Sequence, residues 1–209
     1  MANNKGYLTA GRDADSDECL TPRYVVNPII KYLKLRGFKK IWCPFDLDHS
    51  LYVRILKKNG FEVINTHIKT GGDFFEIDPA SIDFDCIVSN PPFTLKDKIL
   101  ERLYAIGKPF AILLPQNSLQ SKDRTPLFIK YGLEYLGFDK RACFYTNDKL
   151  DEIKFGSAFA SAYFCKDVLP KLLMFEYLYP QQESYDNFGG GGVILYAKFN
   201  PLRVLRQCA

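Results

Sequence analysis

The sequence predicts an α/β protein with a seven-stranded, mostly parallel sheet, an antiparallel last strand and helices on both faces. Short apolar runs alternate with segments of helical spacing between residues 39 and 115. Strands that alternate with helices form right-handed crossovers, which place the strands parallel in one sheet. After residue 115 the pattern changes, and strand-like runs follow one another more closely. This change indicates antiparallel pairing in the second half of the sheet.

The elements follow from hydrophobic spacing and end signals. A helix is predicted to start at Thr21-Pro22, and Pro28 is expected to kink or restart it. The two later helices should end at Gly60 and Gly107. Strands are predicted at 39–45, 61–65, 84–89, 109–115, 133–137, 143–145 and 158–165, and helices at 51–59 and 95–106. The last two of these strands are expected to pair with each other.

Composition and charge narrow the class of protein. The chain has 209 residues, of which 47% are hydrophobic and 25% charged, as in ordinary globular domains. No apolar run approaches the roughly 20 residues of a membrane helix, and the first residues lack the apolar core of a signal peptide. Six cysteines include no C-x-x-C pair, so a reduced, cytoplasmic protein without a metal site is expected. The net charge of +4 permits a polyanionic partner without demanding one.

Three segments are predicted from this pattern. Residues 1–18 are polar and lack periodicity, which indicates a flexible N-terminal arm. Residues 19–170 hold the alternating elements and form the main domain. Residues 171–209 form a C-terminal extension packed on that domain, with an aromatic run at 174–179 and a strand-like run at 193–197.

The main domain is organised around the motif S-N-P-P-F at residues 89–93, which ends a buried strand. Proline has no N–H for a sheet ladder and fixes φ, so the strand must stop here. The side chains of Asn90 and Phe93 are left at its carboxyl end, where open α/β sheets bind ligands. The alternative is a strand followed by a tight turn.

This motif, together with Asp73-Phe74 and Thr21-Pro22 in the same order along the chain, resembles the S-adenosylmethionine-dependent amino methyltransferases of phage and bacterial type. Members of this family methylate the exocyclic N6 amino group of adenine in DNA or RNA. The resemblance covers about residues 19–165 and implies a Rossmann-like class I methyltransferase fold. It would also fit an enzyme carried by a phage or mobile element.

The resemblance implies a catalytic set of Asn90, Pro91, Pro92 and Phe93. The amino nitrogen of adenine is a weak nucleophile because its lone pair is delocalised into the ring. The Asn90 side-chain oxygen and the Pro91 carbonyl would accept its two N–H groups, which stabilises the positive charge that develops there. The ring of Phe93 would stack on the extruded base.

The resemblance also implies S-adenosyl-L-methionine as cofactor. Asp73 would accept a hydrogen bond from the amino group of its adenine, and Phe74 would pack on the adenine ring. Thr21 and Pro22 would lie near its methionine part, and Ser89 belongs to the same pocket. The alternative for Asp73 is a plain turn aspartate.

The first strand departs from the family pattern. The family has an acid followed by P-F-x-G-x-G, whereas residues 43–49 read C-P-F-D-L-D-H. Pro44 and Phe45 fit the cofactor site, but both glycines and the leading acid are missing. Asp46 and Asp48 either hold the ammonium group of the cofactor or cap the following helix, and the sequence leaves this open.

The second strand lacks the acid that usually binds the ribose. Asn65, Thr66 or His67 would have to substitute, and His67 could equally be a plain surface histidine.

Four basic residues are candidates for nucleic-acid contacts: Lys96, Lys98, Lys140 and Arg141. The alternative is that they belong to solvated surfaces. DNA is favoured over RNA as the partner. The same motif occurs in enzymes that methylate guanine N2 in ribosomal RNA, and a close variant in those that methylate protein glutamine. A second class of function is a degenerate methyltransferase fold that binds nucleic acid or protein without turnover.

Overall fold

The computed structural model describes residues 19–146 and 160–179. The helices in this part of the chain are α1 (Arg23–Leu35), α2 (Leu51–Lys58), α3 (Lys96–Ile106) and α4 (Thr125–Tyr131). The strands are β1 (Cys19–Leu20), β2 (Lys40–Cys43), β3 (Glu62–Asn65), β4 (Cys86–Ser89), β5 (Phe110–Pro115), β6 (Glu134–Phe138), β7 (Tyr145–Thr146), β8 (Ser161–Lys166) and β9 (Leu173–Glu176).

Seven strands form one sheet in the order β3-β2-β4-β5-β8-β6-β9. Strands β2 to β5 are parallel, and β8 runs antiparallel to both of its neighbours, β5 and β6. The predicted fold class is therefore confirmed, with one difference of detail. The antiparallel strand is β8, and a further strand, β9, follows it and lies parallel to β6.

Both faces of the sheet are covered by helices, as predicted. Alternate residues of β2 belong to different clusters: Ile41 and Cys43 share one with the buried residues of α1 and α2, whereas Trp42 belongs to the one that includes the buried residues of α3. Strand β5 is buried at all six positions. A strand covered on both faces must be apolar throughout rather than alternating, which is the pattern its sequence shows.

The first helix does not restart at its proline. Helix α1 runs without interruption through Pro28, so the restart that was one of the two expectations does not occur. A proline in a helix interior removes one backbone hydrogen bond. Seven side chains of α1 are buried and hold the helix on the sheet, which offsets that loss.

The expected pairing of 143–145 with 158–165 is wrong. Strand β7 pairs instead with β1 in a separate two-stranded sheet. Strand β8 is inserted between β5 and β6, so both of its hydrogen-bonding edges are already occupied.

The predicted arm at 1–18 and the strand-like run at 193–197 lie outside the described residues. Within the described ranges, no helix combines the length and the apolar character needed to cross a membrane.

Candidate active site

A crevice is expected where the chain changes direction across the sheet. Strand β2 has β3 on one side and β4 on the other, so the connections after β2 and after β3 lead in opposite directions. Ligands of open α/β sheets bind at such a switch point, outside the carboxyl ends of the strands. Asp46, Ser50, Ser89 and Asn90 lie at the ends of β2 and β4, and we name this group the switch-point crevice.

The carboxylate of Asp46 joins three elements. Its Oδ1 accepts a hydrogen bond from the hydroxyl of Ser50, and its Oδ2 accepts one from the hydroxyl of Ser89, the last residue of β4. Ser50 is the N-cap of α2, where its Oγ accepts a hydrogen bond from the backbone N–H of Tyr52 at 3.2 Å. Asp46 therefore does not cap the helix directly; it orients the cap and ties it to β4. Asp48 is exposed.

Burial and hydrogen bonding shift the pKa of Asp46 in opposite directions. Asp46 is 7% exposed, and burial raises its pKa to about 6, while the hydrogen bonds from Ser50 and Ser89 lower it. Desolvation disfavours the charged form, and donors to the carboxylate favour it. A cation bound in the crevice would add to the second effect, because each carboxylate oxygen has lone pairs for more than one donor.

The end of β2 and the turn after it lack the leading acid and the two glycines of the family pattern. Cys43, at the position of the family's leading acid, is fully buried, and burial raises the pKa of its thiol. Leu47 is half-buried and His49 exposed where the family has glycine. From β3, the amide nitrogen of Asn65 donates to the backbone carbonyl of Asp46 at 3.3 Å. The turn is therefore held by side chains from neighbouring strands rather than by glycines.

The motif at 89–93 ends β4 and starts α3. Pro91 is buried and Asn90 half-buried, with the Oδ1 atom of Asn90 fully enclosed. Pro92 is the N-cap of a short 3-10 turn, Phe93–Leu95, that leads directly into α3. The half-buried ring of Phe93 packs against the cluster on the α3 face of the sheet. A side-chain oxygen and an aromatic ring are thus held at the carboxyl end of a central strand.

Asp73 stabilises a turn through its side chain, as expected for a plain turn aspartate. Its Oδ1 accepts from the backbone N–H of Phe75 at 2.9 Å, and its carbonyl accepts from Glu76 and Ile77. The residue is half-buried, and its Oδ2 has no hydrogen bond from any of the described residues. The turn role and a ligand role are therefore compatible.

Phe74 lies in the core. It is 2% exposed, and its ring packs on Trp42 and Phe45 with centroid distances of 5.6 and 4.9 Å. Phe45 is half-buried, so it offers the more accessible of the two rings. The structure brings together two predicted cofactor residues that are distant in sequence.

His67 is not a surface histidine, contrary to one of the two expectations for it. It is 9% exposed, and its Nδ1 accepts from the backbone N–H of Lys69 at 3.1 Å. The backbone at Gly72 lies very close to the segment that carries His67, since a Cβ added to Gly72 would lie 2.9 Å from the Cβ of Thr66.

Thr21 and Pro22 are buried at the start of α1, where the carbonyl of Pro22 accepts a hydrogen bond from the backbone N–H of Val25.

The four predicted cations lie at two separate places. Lys96 begins α3, and its Nζ donates to the Phe93 carbonyl at 3.3 Å, while Lys98 is exposed. Lys140 and Arg141 follow β6, and Lys140 pairs with Asp139 at 3.2 Å. Strands β5 and β8 separate these two places, so the cations do not form one cluster.

Ser50 and the polar residues after β5 are not among the site residues predicted from the sequence. The N-cap role of Ser50 could have been predicted, because a serine directly before an apolar helical run is a typical N-cap. No sequence signal marked Gln116 and Asn117 as site residues, since amides after a strand are common in loops.

No protein-family model matches the chain, and no curated protein matches it. The chemistry of the site itself is therefore the basis for a function.

Proposed function

We propose that the protein is a cytoplasmic, S-adenosylmethionine-dependent methyltransferase that modifies the exocyclic N6 amino group of adenine in DNA. The supporting observation is the side chain of Asn90, whose Oδ1 is enclosed at the carboxyl end of a strand with parallel neighbours on both sides. Two prolines follow it, so the backbone around this oxygen has few alternative conformations. The position is also the switch point of the sheet, where a ligand is expected.

The residues at 90–93 have a clear role in this reaction. The Oδ1 of Asn90 and the carbonyl of Pro91 accept the two N–H groups of the adenine amine, which directs its lone pair outward. As positive charge develops on the nitrogen, the same two dipoles stabilise it without having to reorient. The methylated ammonium is acidic and would lose its proton to solvent water, so no strong base is required. Phe93 offers a ring on which the flipped base stacks.

The crevice residues fit the cofactor in part. S-adenosylmethionine, when bound, supplies an electrophilic methyl group. Asp46 offers a buried carboxylate for the ammonium group, Asp73 an unused Oδ2 for an amino group, and Phe45 a ring. Leu47 and His49 stand where glycines would let the backbone approach a ligand closely, so modest affinity is expected.

The deciding experiment is mass spectrometry of nucleosides from DNA and RNA of cells that overexpress the protein or its Asn90→Ala variant. We expect N6-methyladenine to rise in DNA with the wild type and to stay at the background level with the variant. An unchanged level with the wild type would contradict the proposal. A rise of N2-methylguanine in RNA would instead support the related RNA enzymes.

A second candidate is a binding protein that has kept this fold without turnover, and the glycine-free turn at 46–49 favours it. Isothermal titration calorimetry with S-adenosylmethionine separates the two. Detectable binding that tightens in a Leu47→Gly, His49→Gly double variant supports the enzyme. Absence of binding in both proteins supports the second candidate.

A further inference from the structure

Two adjoining cavities open at the same edge of the sheet as Asn90, but farther along it. They have volumes of about 210 and 410 Å³ and share Gln116, Arg141 and Ala160 in their linings. We call the joined space the amide groove, defined by Gln116, Asn117, Gln120, Arg141 and Ser161. It lies at the carboxyl ends of β5 and β6, where β8 begins.

The groove is close to the proposed catalytic residue. Strand β5 is the neighbour of β4, with Ser89 opposite Ile112, and it continues three residues farther to Pro115. At ~3.3 Å per residue and ~4.8 Å between strands, the backbone of Gln116 lies roughly 11 Å from that of Asn90. A nucleic-acid strand that presents an adenine to Asn90 would bring a neighbouring nucleotide to this groove.

The groove contains a buried polar group that lacks a partner. Ser161 is 5% exposed and lines the smaller cavity, yet its hydroxyl has no hydrogen-bond partner in the part of the chain that the structure describes. Buried hydroxyls are almost always hydrogen-bonded, so a hydroxyl without a partner beside a cavity is a place for an ordered water or a polar group of a ligand.

The wall that carries the amides is held in place. Gln116 and Asn117 begin a 3-10 turn that ends at Leu119. Arg124, which is 5% exposed, donates to the carbonyls of Ser118 at 2.7 Å and Gln120 at 3.0 Å. Its remaining terminal nitrogen pairs with Asp97 in the first turn of α3. The turn is therefore linked to the helix that directly follows the motif at 89–93.

The polar groups of the groove match those of a nucleotide. Arg141 is exposed and has no ion pair or hydrogen bond with another described residue, while Lys140 is paired with Asp139. A free guanidinium suits a phosphate group. Amide side chains offer a donor and an acceptor together, which is the pattern needed to bind the edge of a base.

Resting on the proposed function, we propose that the amide groove binds the nucleotide next to the target adenine. Gln116 and Asn117 contact the edge of its base, and Arg141 neutralises the adjacent phosphate. The groove would then set the sequence preference of an enzyme in which the described residues form no separate recognition domain.

The test uses short single-stranded DNA oligonucleotides with one central adenine and each of the four bases beside it. The wild type is compared with a Gln116→Ala, Asn117→Ala double variant, with Arg141→Ala, and with Arg54→Ala. Arg54 is an exposed arginine on α2, at the other end of the sheet, and serves as the matched control. All of the substituted side chains are exposed, and among them Gln116 gives up a side-chain hydrogen bond with Tyr135, so the melting temperature of each variant is measured first to show that it is folded.

Two measurements are made on each protein. The first is kcat/KM for methyl transfer to each oligonucleotide, and the second is binding by fluorescence anisotropy without cofactor over a range of salt concentrations. The double variant should lose a preference among neighbouring bases of roughly 5- to 100-fold, the scale of one bidentate base contact. Arg141→Ala should weaken binding to all oligonucleotides and reduce the log–log salt slope by about 0.7, the value for one phosphate on a single strand. Arg54→Ala should change neither.

The outcomes separate the two proposals. If the wild type transfers methyl groups and the double variant and Arg141→Ala both behave like it, the groove proposal is overturned while the function stands. If the wild type binds the oligonucleotides without methylating any, and the variants lose that binding, the groove remains a nucleic-acid site while the methyltransferase function fails. If the wild type binds none of the oligonucleotides, the groove proposal is overturned as well.

Discussion

The switch-point crevice and the amide groove lie at the same edge of one sheet, yet they differ in whether their polar groups have hydrogen-bond partners within the protein. In the crevice, both carboxylate oxygens of Asp46 accept hydrogen bonds from serine hydroxyls. In the groove, the hydroxyl of Ser161 and the guanidinium of Arg141 have no such partners among the described residues. The first arrangement satisfies the hydrogen bonds of its polar groups without a ligand. In the second arrangement, Ser161 and Arg141 gain hydrogen bonds only when something binds, so the two regions should respond differently to substitution.

The largest expected effect separates catalysis from binding. Asn90→Ala should lower kcat/KM for methyl transfer about 100-fold or more, the scale for losing one preorganised polar contact. Affinity for oligonucleotides and for S-adenosylmethionine should stay near that of the wild type, as measured by anisotropy and calorimetry. The matched control is Asn59→Ala, which replaces the same residue type at the C-cap of α2, away from the crevice, and should retain activity. An active Asn90→Ala enzyme would remove Asn90 from the mechanism.

The pH dependence of stability tests whether Asp46 is buried as described. Its pKa is raised to about 6, so the stability it contributes is present below about pH 4 and is lost as the pH rises through 6. Since one pKa unit corresponds to about 1.4 kcal/mol, the loss between pH 4 and pH 7 is on the order of 3 kcal/mol. Asp46→Asn lacks this titration, so the difference in unfolding free energy between the two proteins should change with pH.

Urea denaturation at several pH values measures this difference. Asp48→Asn changes an exposed carboxylate in the same turn and should stay within about 0.5 kcal/mol of the wild type at pH 7. Parallel pH curves for the wild type and Asp46→Asn would show that the carboxylate is not buried.

Asp73 offers a test of ligand contact with an internal control. Asp73→Ala should weaken S-adenosylmethionine binding by about 1–3 kcal/mol, the cost of leaving a buried polar group unpaired. Asp78 makes an equivalent turn, with its Oδ1 accepting from the N–H of Ala80 at 3.0 Å. Asp78→Ala should therefore affect only local stability. Equal affinities for both variants in calorimetry would mean that Asp73 is a turn residue alone.

The smallest expected effect concerns the lysines beside the crevice. Lys96→Ala with Lys98→Ala should reduce the log–log salt slope for duplex DNA by roughly one to two units, with no change in cofactor affinity. Lys57→Ala with Lys58→Ala removes two exposed charges from the last turn of α2 and is the matched control. An unchanged slope in the first pair would assign Lys96 and Lys98 to a solvated surface and favour a protein or small-molecule acceptor.

The fold was predictable where local pattern decides structure. Alternating runs and end signals predicted β2 to β5 and the helices α2 and α3, because each depends on residues close in sequence. The pairing of β8 was not predictable, since the choice between β5, β6 and β7 depends on which edges remain open after the sheet assembles. The role of Asp46 was left open for the same reason. Its second partner, Ser89, is 43 residues away and comes near only through the sheet.

The insertion of β8 also affects the order in which the chain can fold as it is synthesised. Strand β5 leaves the ribosome well before β8, and the edge that β8 later covers consists of six apolar residues. At synthesis rates of about 5–20 residues per second, this edge stays open for roughly 3–10 s. An open apolar strand edge is a template for aggregation. A nascent chain stopped before residue 161 should therefore aggregate unless a chaperone covers β5. Pairing of β8 with β5 removes this exposed strand edge.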